Sequence, residues 1–385
     1  MSMTRYRNTV VGSYPRPTQA ADTMKKPTLT QADTDAMVRW AAKDQSDLGL
    51  DIITDGEAYR ENMYYFYQKR VDGVTFEDMP RLTFGDAGFG IECPRMIGKL
   101  ENPRFQLAHN WKLARDAAPA GVRVKQTVTG PHVLTRFSVN ERKDLYPDDQ
   151  ALCRAWAHVL KQELDEVIGA GCTDIQFDEP MWTEAPQQSE WAADILAELI
   201  DSLPKNIRVG LHVCGGNPRR KRVYFTKYTD LAPAFRKVHI DEVSLEHCTL
   251  GYNMLNLWNE WRFKGEFVVG VIDQRSDEIE SPEVVAQGRQ YARQAQRGPP
   301  LRVQQNHVDE LERRHQALAA RRDAADAHGY PQDAPGFDFQ VEAKLTDSGH
   351  NPAMQRSPGK HDCQPAGQKQ PHQRLRKGCV DLQQA

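Results

Sequence analysis

The sequence predicts an α/β chain: a single (β/α)8 TIM-like barrel with an excursion after its second strand and an atypical C-terminal tail. Three observations predict it. Short β-type runs recur through residues 1–295, with helix-type segments between them. Alternation of that kind builds a parallel sheet. Every run ends in polar or ionisable residues, and chemistry at the C-terminal ends of many strands marks a (β/α)8 barrel. No G-x-G-x-x-G follows the first run, which argues against the alternative, a doubly wound open sheet.

The runs follow in order. Thr9-Val10-Val11 leads to Gly12-Ser13-Tyr14-Pro15, and Asp51-Ile52-Ile53-Thr54 to Asp55-Gly56-Glu57. The run 122–128 leads to Thr129-Gly130-Pro131, and 173–177 to Asp178-Glu179-Pro180. Ile207-Arg208-Val209-Gly210 runs into Leu211-His212-Val213-Cys214, closed by Gly215-Gly216. The run 238–245 leads to Glu246-His247-Cys248, and 266–272 to Asp273-Gln274-Arg275-Ser276. An eighth strand is expected near Leu301-Arg302-Val303. Helices are expected over 149–170, where Trp156, Leu160 and Leu164 keep helical spacing, and over 189–203. The stretch 59–119 is too long for a simple strand-to-helix connection and predicts an excursion over the mouth.

Composition excludes several classes. A net charge of -3 offers no global basic field for nucleic acid. No apolar run approaches the roughly 18 residues of a membrane span. The N-terminus lacks an apolar core of the secretory type, so a cytoplasmic location is expected. Seven scattered cysteines do not form a disulfide framework, and a reducing compartment leaves thiols able to bind metal.

The chain divides unevenly. Residues 1–300 read as the barrel. Residues 301–385 read as a low-complexity tail, since no Ile and no Trp occurs after Arg297 while Gln, Arg, His and Pro abound. The tail is either disordered or the product of a shifted reading frame, and the sequence leaves both open.

The strand tips carry the chemistry. His212 and Cys214, at i and i+2 of one strand, share a face. An imidazole and a thiolate side by side suit Zn²⁺; the alternative is a buried Cys beside a core His. His212, Cys214, Glu246 and one further thiol make a four-donor set. Zinc held through a thiolate can activate an incoming thiol as the true nucleophile. Asp178 and Glu179 are assigned to anchoring substrate or moving protons, against the alternative that the pair caps a helix. The run Arg219-Arg220-Lys221-Arg222 is a solvated face or, beside the metal, a seat for an anionic substrate tail. Arg275 is a second such seat. His247 and Cys248 are read as structural, and Cys93, Cys153 and Cys172 as inert.

Together these tips resemble the catalytic barrel of cobalamin-independent methionine synthase and its relatives, over roughly residues 8–295. The resemblance places Ser13 in the element whose backbone lies near the thiol substrate. It matches Glu57 to the residue that holds the homocysteine amino group. It puts His212, Cys214 and Glu246 on zinc-ligand positions. Two departures stand out. The synthases carry a proton-donating His where this chain has Arg275. Their last zinc ligand is a strand-eight Cys, whereas 303–307 reads Val-Gln-Gln-Asn-His; His307, Cys363 and Cys379 are the remaining candidates. Arg275 and the basic run make the chain more similar to the epoxyalkane:coenzyme M transferases. The resemblance then implies that zinc-bound coenzyme M thiolate opens an aliphatic epoxide to a 2-hydroxyalkyl thioether. The second expectation is methyl transfer to homocysteine, favoured by Glu57. The third is a barrel that is no longer catalytic. Expected partners are small molecules, an anionic thiol with an epoxide or methyl donor, and neither nucleic acid nor membrane. A homo-oligomer is left open.

Overall fold

The structure, a computed structural model, describes residues 7–16, 29–85, 89–217, 222–247 and 263–270. It also describes residues 23, 25, 26, 257, 261, 272, 281 and 283 and the backbone of 341–342. The expected boundary at residue 300, the eighth strand at Leu301–Val303 and the tail 301–385, apart from the backbone of 341–342, lie outside the described residues.

The seven expected strands are present and parallel, in chain order. β1 (Thr9–Val10) pairs with β2 (Ile52–Ile53), which pairs with a strand at Arg123–Val124. The excursion supplies β3 (Asp72–Thr75), β4 (Arg81–Phe84), β5 (Phe89–Glu92) and β6 (Arg95–Glu101), so the third wall strand is β7 (Arg123–Val124). Lys125 interrupts it, and β8 (Gln126–Thr129) continues the run into a second sheet. After β9 (Val139–Asn140) that sheet runs through β10 (Asp174–Asp178), β11 (Arg208–Val213), β12 (Glu242–Glu246) and β13 (Glu266–Gly270). Strand six thus begins at Glu242 rather than at Val238, because the turn that follows the helix Ala232–Phe235 still occupies the intervening residues. On its other side β1 pairs antiparallel with β14 (Val341–Glu342).

The register sets the site. Asp178 stands opposite Thr129 on one side and His212 on the other, and His212 stands opposite Ser244. These residues form one row across the strand ends. Glu246 lies two positions further along β12, opposite Gly270.

Helices cover the strands in sequence. Gln31–Asp47 starts at a capping box, Thr30 and Asp33 each accepting from the other's backbone. Asp149–Gly169 buries Leu152, Trp156, Leu160 and Leu164 on one face, each contributing roughly 1.5–3 kcal/mol of burial. Leu107–Ala117 packs between these two helices, and Asp149–Gly169 also packs on Ser189–Asp201. The expected excursion over 59–119 is therefore shorter. Its last part is the ordinary helix before β7, and the excursion proper is β3 against β6 with the β4–β5 hairpin. Tyr59, Phe66, Tyr67 and Phe105 pack edge to face or tilted beneath it.

Candidate active site

Two clusters of buried polar groups form at the strand ends. The first surrounds Glu57. The turn Asp55-Gly56-Glu57 takes positive φ at its last two residues, 74° and 50°, a conformation uncommon for a glutamate and one that clusters at functional sites. The Glu57 carboxylate accepts from Ser13 Oγ at 2.7 Å and from Thr127 Oγ1. Arg60 Nη1 stands 3.2 Å from it. Gly12 makes room: a Cβ there would lie 2.5 Å from Glu57 Oε1. Ser13 and Glu57, both expected from the sequence, are thus brought together. Thr127 and Arg60 complete the cage, and neither stood among the expected site residues. Their signal was a threonine near the end of a β-type run and an arginine three residues after a carboxylate.

The second cluster holds Asp178, His212, Cys214 and Glu246. Asp178 Oδ1 accepts from Gln176 Nε2 at 2.8 Å and from His212 Nδ1 at 3.0 Å. A carboxylate only accepts, so Nδ1 carries the proton. Gln176 is itself anchored, donating to Val11 O at 3.0 Å and accepting from the buried Lys125 Nζ at 2.6 Å. Burial alone would strip charge from the His212 ring. The Cys214 sulfur and the Asp178 carboxylate beside it outweigh burial, and the imidazole is held well above its ordinary range. Cys214 is buried and unbridged. Its backbone is pinned by Thr183 Oγ1, which donates to Cys214 O at 2.6 Å. Glu246 Oε2 accepts from Arg222 Nη1 at 2.7 Å and from Gly215 N at 3.4 Å.

Glu179 does not join this cluster. It follows the end of β10 at Asp178 and turns to the neighbouring helix. It accepts from His132 N at 3.1 Å and caps the helix Pro131–Arg136. Burial pushes its carboxyl well above the usual range. Of the expected pair, Asp178 lies against His212 and Glu179 against the start of that helix. Of the basic run, Arg222 is buried on Glu246 rather than on a solvated face. Arg219, Arg220 and Arg275 lie outside the described residues, as do His307, Cys363 and Cys379.

His247 is structural, stacked edge-on between Tyr228 and Phe267 and driven down to about 3 by burial. Cys248 lies outside the described residues. Burial pushes the Cys93 and Cys172 thiols up to about 12 and holds the Cys153 thiol well above its ordinary range, which makes them poor nucleophiles.

The donor set suits zinc: an imidazole oriented by a carboxylate, a thiol that hydrogen-bonds it, and a buried carboxylate nearby. Among the described residues no three His, Cys, Asp or Glu side chains converge closely enough to hold a metal ion. Glu246 is occupied by Arg222. No helix among the described residues is long and apolar enough to cross a membrane.

Comparisons with known proteins bear on this site. Residues 6–303 match the family model described as cobalamin-independent synthase, catalytic domain. A methionine synthase of Sulfolobus acidocaldarius is 31% identical over 287 residues, 72% of this chain and 78% of that protein. One from Sulfurisphaera tokodaii is 30% identical over 286 residues, with the same coverage. The solved B12-independent methionine synthase of Shewanella sp. W3-18-1, in complex with selenomethionine, superposes with a TM-score of 0.66 at 21% identity. It covers 85% of this chain and 100% of its own. That likeness shows the fold. The named relatives support the synthase side of the resemblance, the expectation placed second above, over the epoxyalkane:coenzyme M side placed first. The chain belongs to the cobalamin-independent methionine synthase catalytic-domain family.

Proposed function

We propose that this chain transfers a methyl group to the sulfur of homocysteine or a closely similar aminothiol, with zinc as its cofactor. The observation that carries this reading is the Glu57 cage. A buried carboxylate, fixed by Ser13, Thr127 and Arg60, complements a substrate ammonium and would repel a sulfonate. The methionine synthases at 30% and 31% identity support it independently. The reading through coenzyme M and an epoxide rests on Arg275, Arg219 and Arg220, none of them described.

His212, Cys214 and Glu246 would hold the metal. Bound zinc lowers the pKa of an incoming thiol and keeps it as a thiolate. The chain's own residues supply the rest. Asp178 holds the His212 ring by its Nδ1 proton, which fixes the imidazole's orientation. Gln176 and Lys125 hold Asp178 in turn from inside the sheet. Glu57 orients the substrate's amino end. The S–CH₃ bond forms as the donor's bond to the same methyl breaks, and the thiol proton balances the charge left on the donor.

The test is zinc analysis of the purified protein, followed by thiol consumption. Homocysteine with a methyl donor is run against coenzyme M with epoxypropane. The expected result is about one zinc per chain and loss of homocysteine thiol. Cys214→Ala is expected to lose the zinc and at least roughly 10³-fold in rate. Consumption of coenzyme M instead would replace this reading. Neither zinc nor turnover would leave a non-catalytic barrel.

A further inference from the structure

We propose that Arg222 is the counter-cation of Glu246 in the metal-free protein, and that guanidinium and zinc compete for this one carboxylate. The inference rests on the zinc reading above and deepens it.

Both side chains are buried, Arg222 3% and Glu246 4% exposed. A carboxylate that deep needs a partner, because unpaired burial of a charge costs several kcal/mol. Arg222 supplies it with Nη1 alone. Its Nε and Nη2 are buried and have no hydrogen-bond partner. A well-built buried pair uses the planar fork of arginine on both carboxylate oxygens and satisfies the remaining donors. This pair does neither, so it is weaker than the burial around it would suggest. Two guanidinium nitrogens left without a partner are a standing cost.

Its location ties it to the metal. Gly215 follows Cys214 directly, and a Cβ at Gly215 would lie 2.2 Å from Arg222 Cζ. The guanidinium therefore lies flat against the backbone next to the thiol. Gly215 N also points at the same Glu246 oxygen. The carboxylate that chemistry assigns as the third donor is thus taken by a cation from the chain itself. When Glu246 turns to a divalent ion, Arg222 loses the one anionic partner it has among the described residues. Two monocations' worth of charge then replaces one.

The experiment measures zinc affinity of metal-stripped, full-length protein by competition with a chromophoric chelator. It is run at pH 8, so that protonation of Glu246 does not substitute for Arg222. Arg222→Met is expected to bind zinc at least about tenfold tighter than the unsubstituted chain, because the guanidinium no longer competes for the carboxylate. Its metal-free form is expected to melt at lower temperature, and added zinc to close the gap. Arg222→Lys keeps the charge without the fork and is expected to fall between; it also serves where Arg222→Met does not fold. With Glu246→Gln in the background, Arg222→Lys is expected to leave zinc affinity unchanged. Equal or weaker zinc binding by Arg222→Met, or by Arg222→Lys in its place, would overturn the inference and make Arg222 a brace for the bound state. An unsubstituted chain that binds no zinc would instead overturn the zinc reading itself.

Discussion

Glu57 and Glu246 are both buried at strand ends, and each meets an arginine, yet the two pairs are built differently. Arg60 sits under the rings of Tyr59, Phe66 and Tyr67, with Cζ 5.2–5.7 Å from their centroids. It donates to Thr127 O at 3.1 Å and stands 3.6 Å from a second carboxylate, Asp55. Its partner Glu57 has two hydroxyl donors besides. Arg222 has one carboxylate contact and two bare donors. Equal burial therefore does not mean equal fixity. Arg60 Nη1 also lacks a hydrogen bond, but the first pair has the hydroxyl donors, the Thr127 carbonyl and Asp55 around it and can position a substrate. The second has one strong tie and is suited to exchange.

The sharpest way to break this contrast is to remove Arg60. Arg60→Met leaves Glu57 and Asp55 buried without their cation, and a broken buried pair costs about 3–5 kcal/mol. Urea unfolding should show that loss in full, and added zinc should not restore it. Arg222→Met should lose less, and zinc should restore what is lost. Comparable losses in the two variants would erase the distinction.

Much of the frame was legible beforehand. The apolar, β-branched runs 9–11, 51–54, 122–128, 173–177, 207–214 and 266–272 each contain a wall strand, because buried parallel strands are recognisable without partners. The His212–Cys214 neighbourhood followed from period-two alternation alone. The end of β10 at Asp178 separates it from Glu179, a distinction that the adjacency of two acids on one tip obscured. Other features depend on distant residues. Lys125 sits between two strand segments and Gln176 inside a strand, and only the pairing of β8 with β10 makes them partners. Arg222 looked like the end of a charge run, whereas its burial comes from Glu246, 24 residues later. The length of the excursion was misjudged because helix Leu107–Ala117, lacking a side-chain N-cap, begins without a strong signal.

The helix-end role of Glu179 offers a second contrast, between acids that serve the site and acids that serve the frame. His132 lies beside Glu179, its Nε2 2.9 Å from Gln188 Oε1 and its Nδ1 4.0 Å from Glu179 Oε2. Burial drives its ring down to about 4, with the Arg136 charge acting the same way. A histidine whose folded value lies below its unfolded value of about 6.5 binds its proton more readily when unfolded. The contribution of His132 to stability is therefore intact above pH 6.5 and is lost as pH drops towards 4, about 3 kcal/mol over that window, while the raised Glu179 and His212 act in the opposite sense. Urea midpoints at pH 7 and 4.5 check this. His132→Gln should flatten the slope while leaving zinc content unchanged. An unchanged slope would place the acid sensitivity elsewhere.

The smallest expected effect tests whether the fixed pair works on substrate at all. Glu57→Gln is close to isosteric. The amide oxygen can still accept from Thr127, the amide nitrogen can still meet Ser13, and Arg60 keeps Asp55. What is removed is one negative charge. If that charge binds the substrate ammonium, KM for homocysteine should rise by about tenfold, or ~1.4 kcal/mol. With ground state and transition state weakened equally, kcat should stay nearly constant. For 4-mercaptobutyrate, a thiol of similar length without the amino group, the substitution should then change little. A KM for homocysteine unmoved by Glu57→Gln would reduce Glu57 to a structural partner of Arg60. The two glutamate–arginine pairs would then differ in strength but not in purpose.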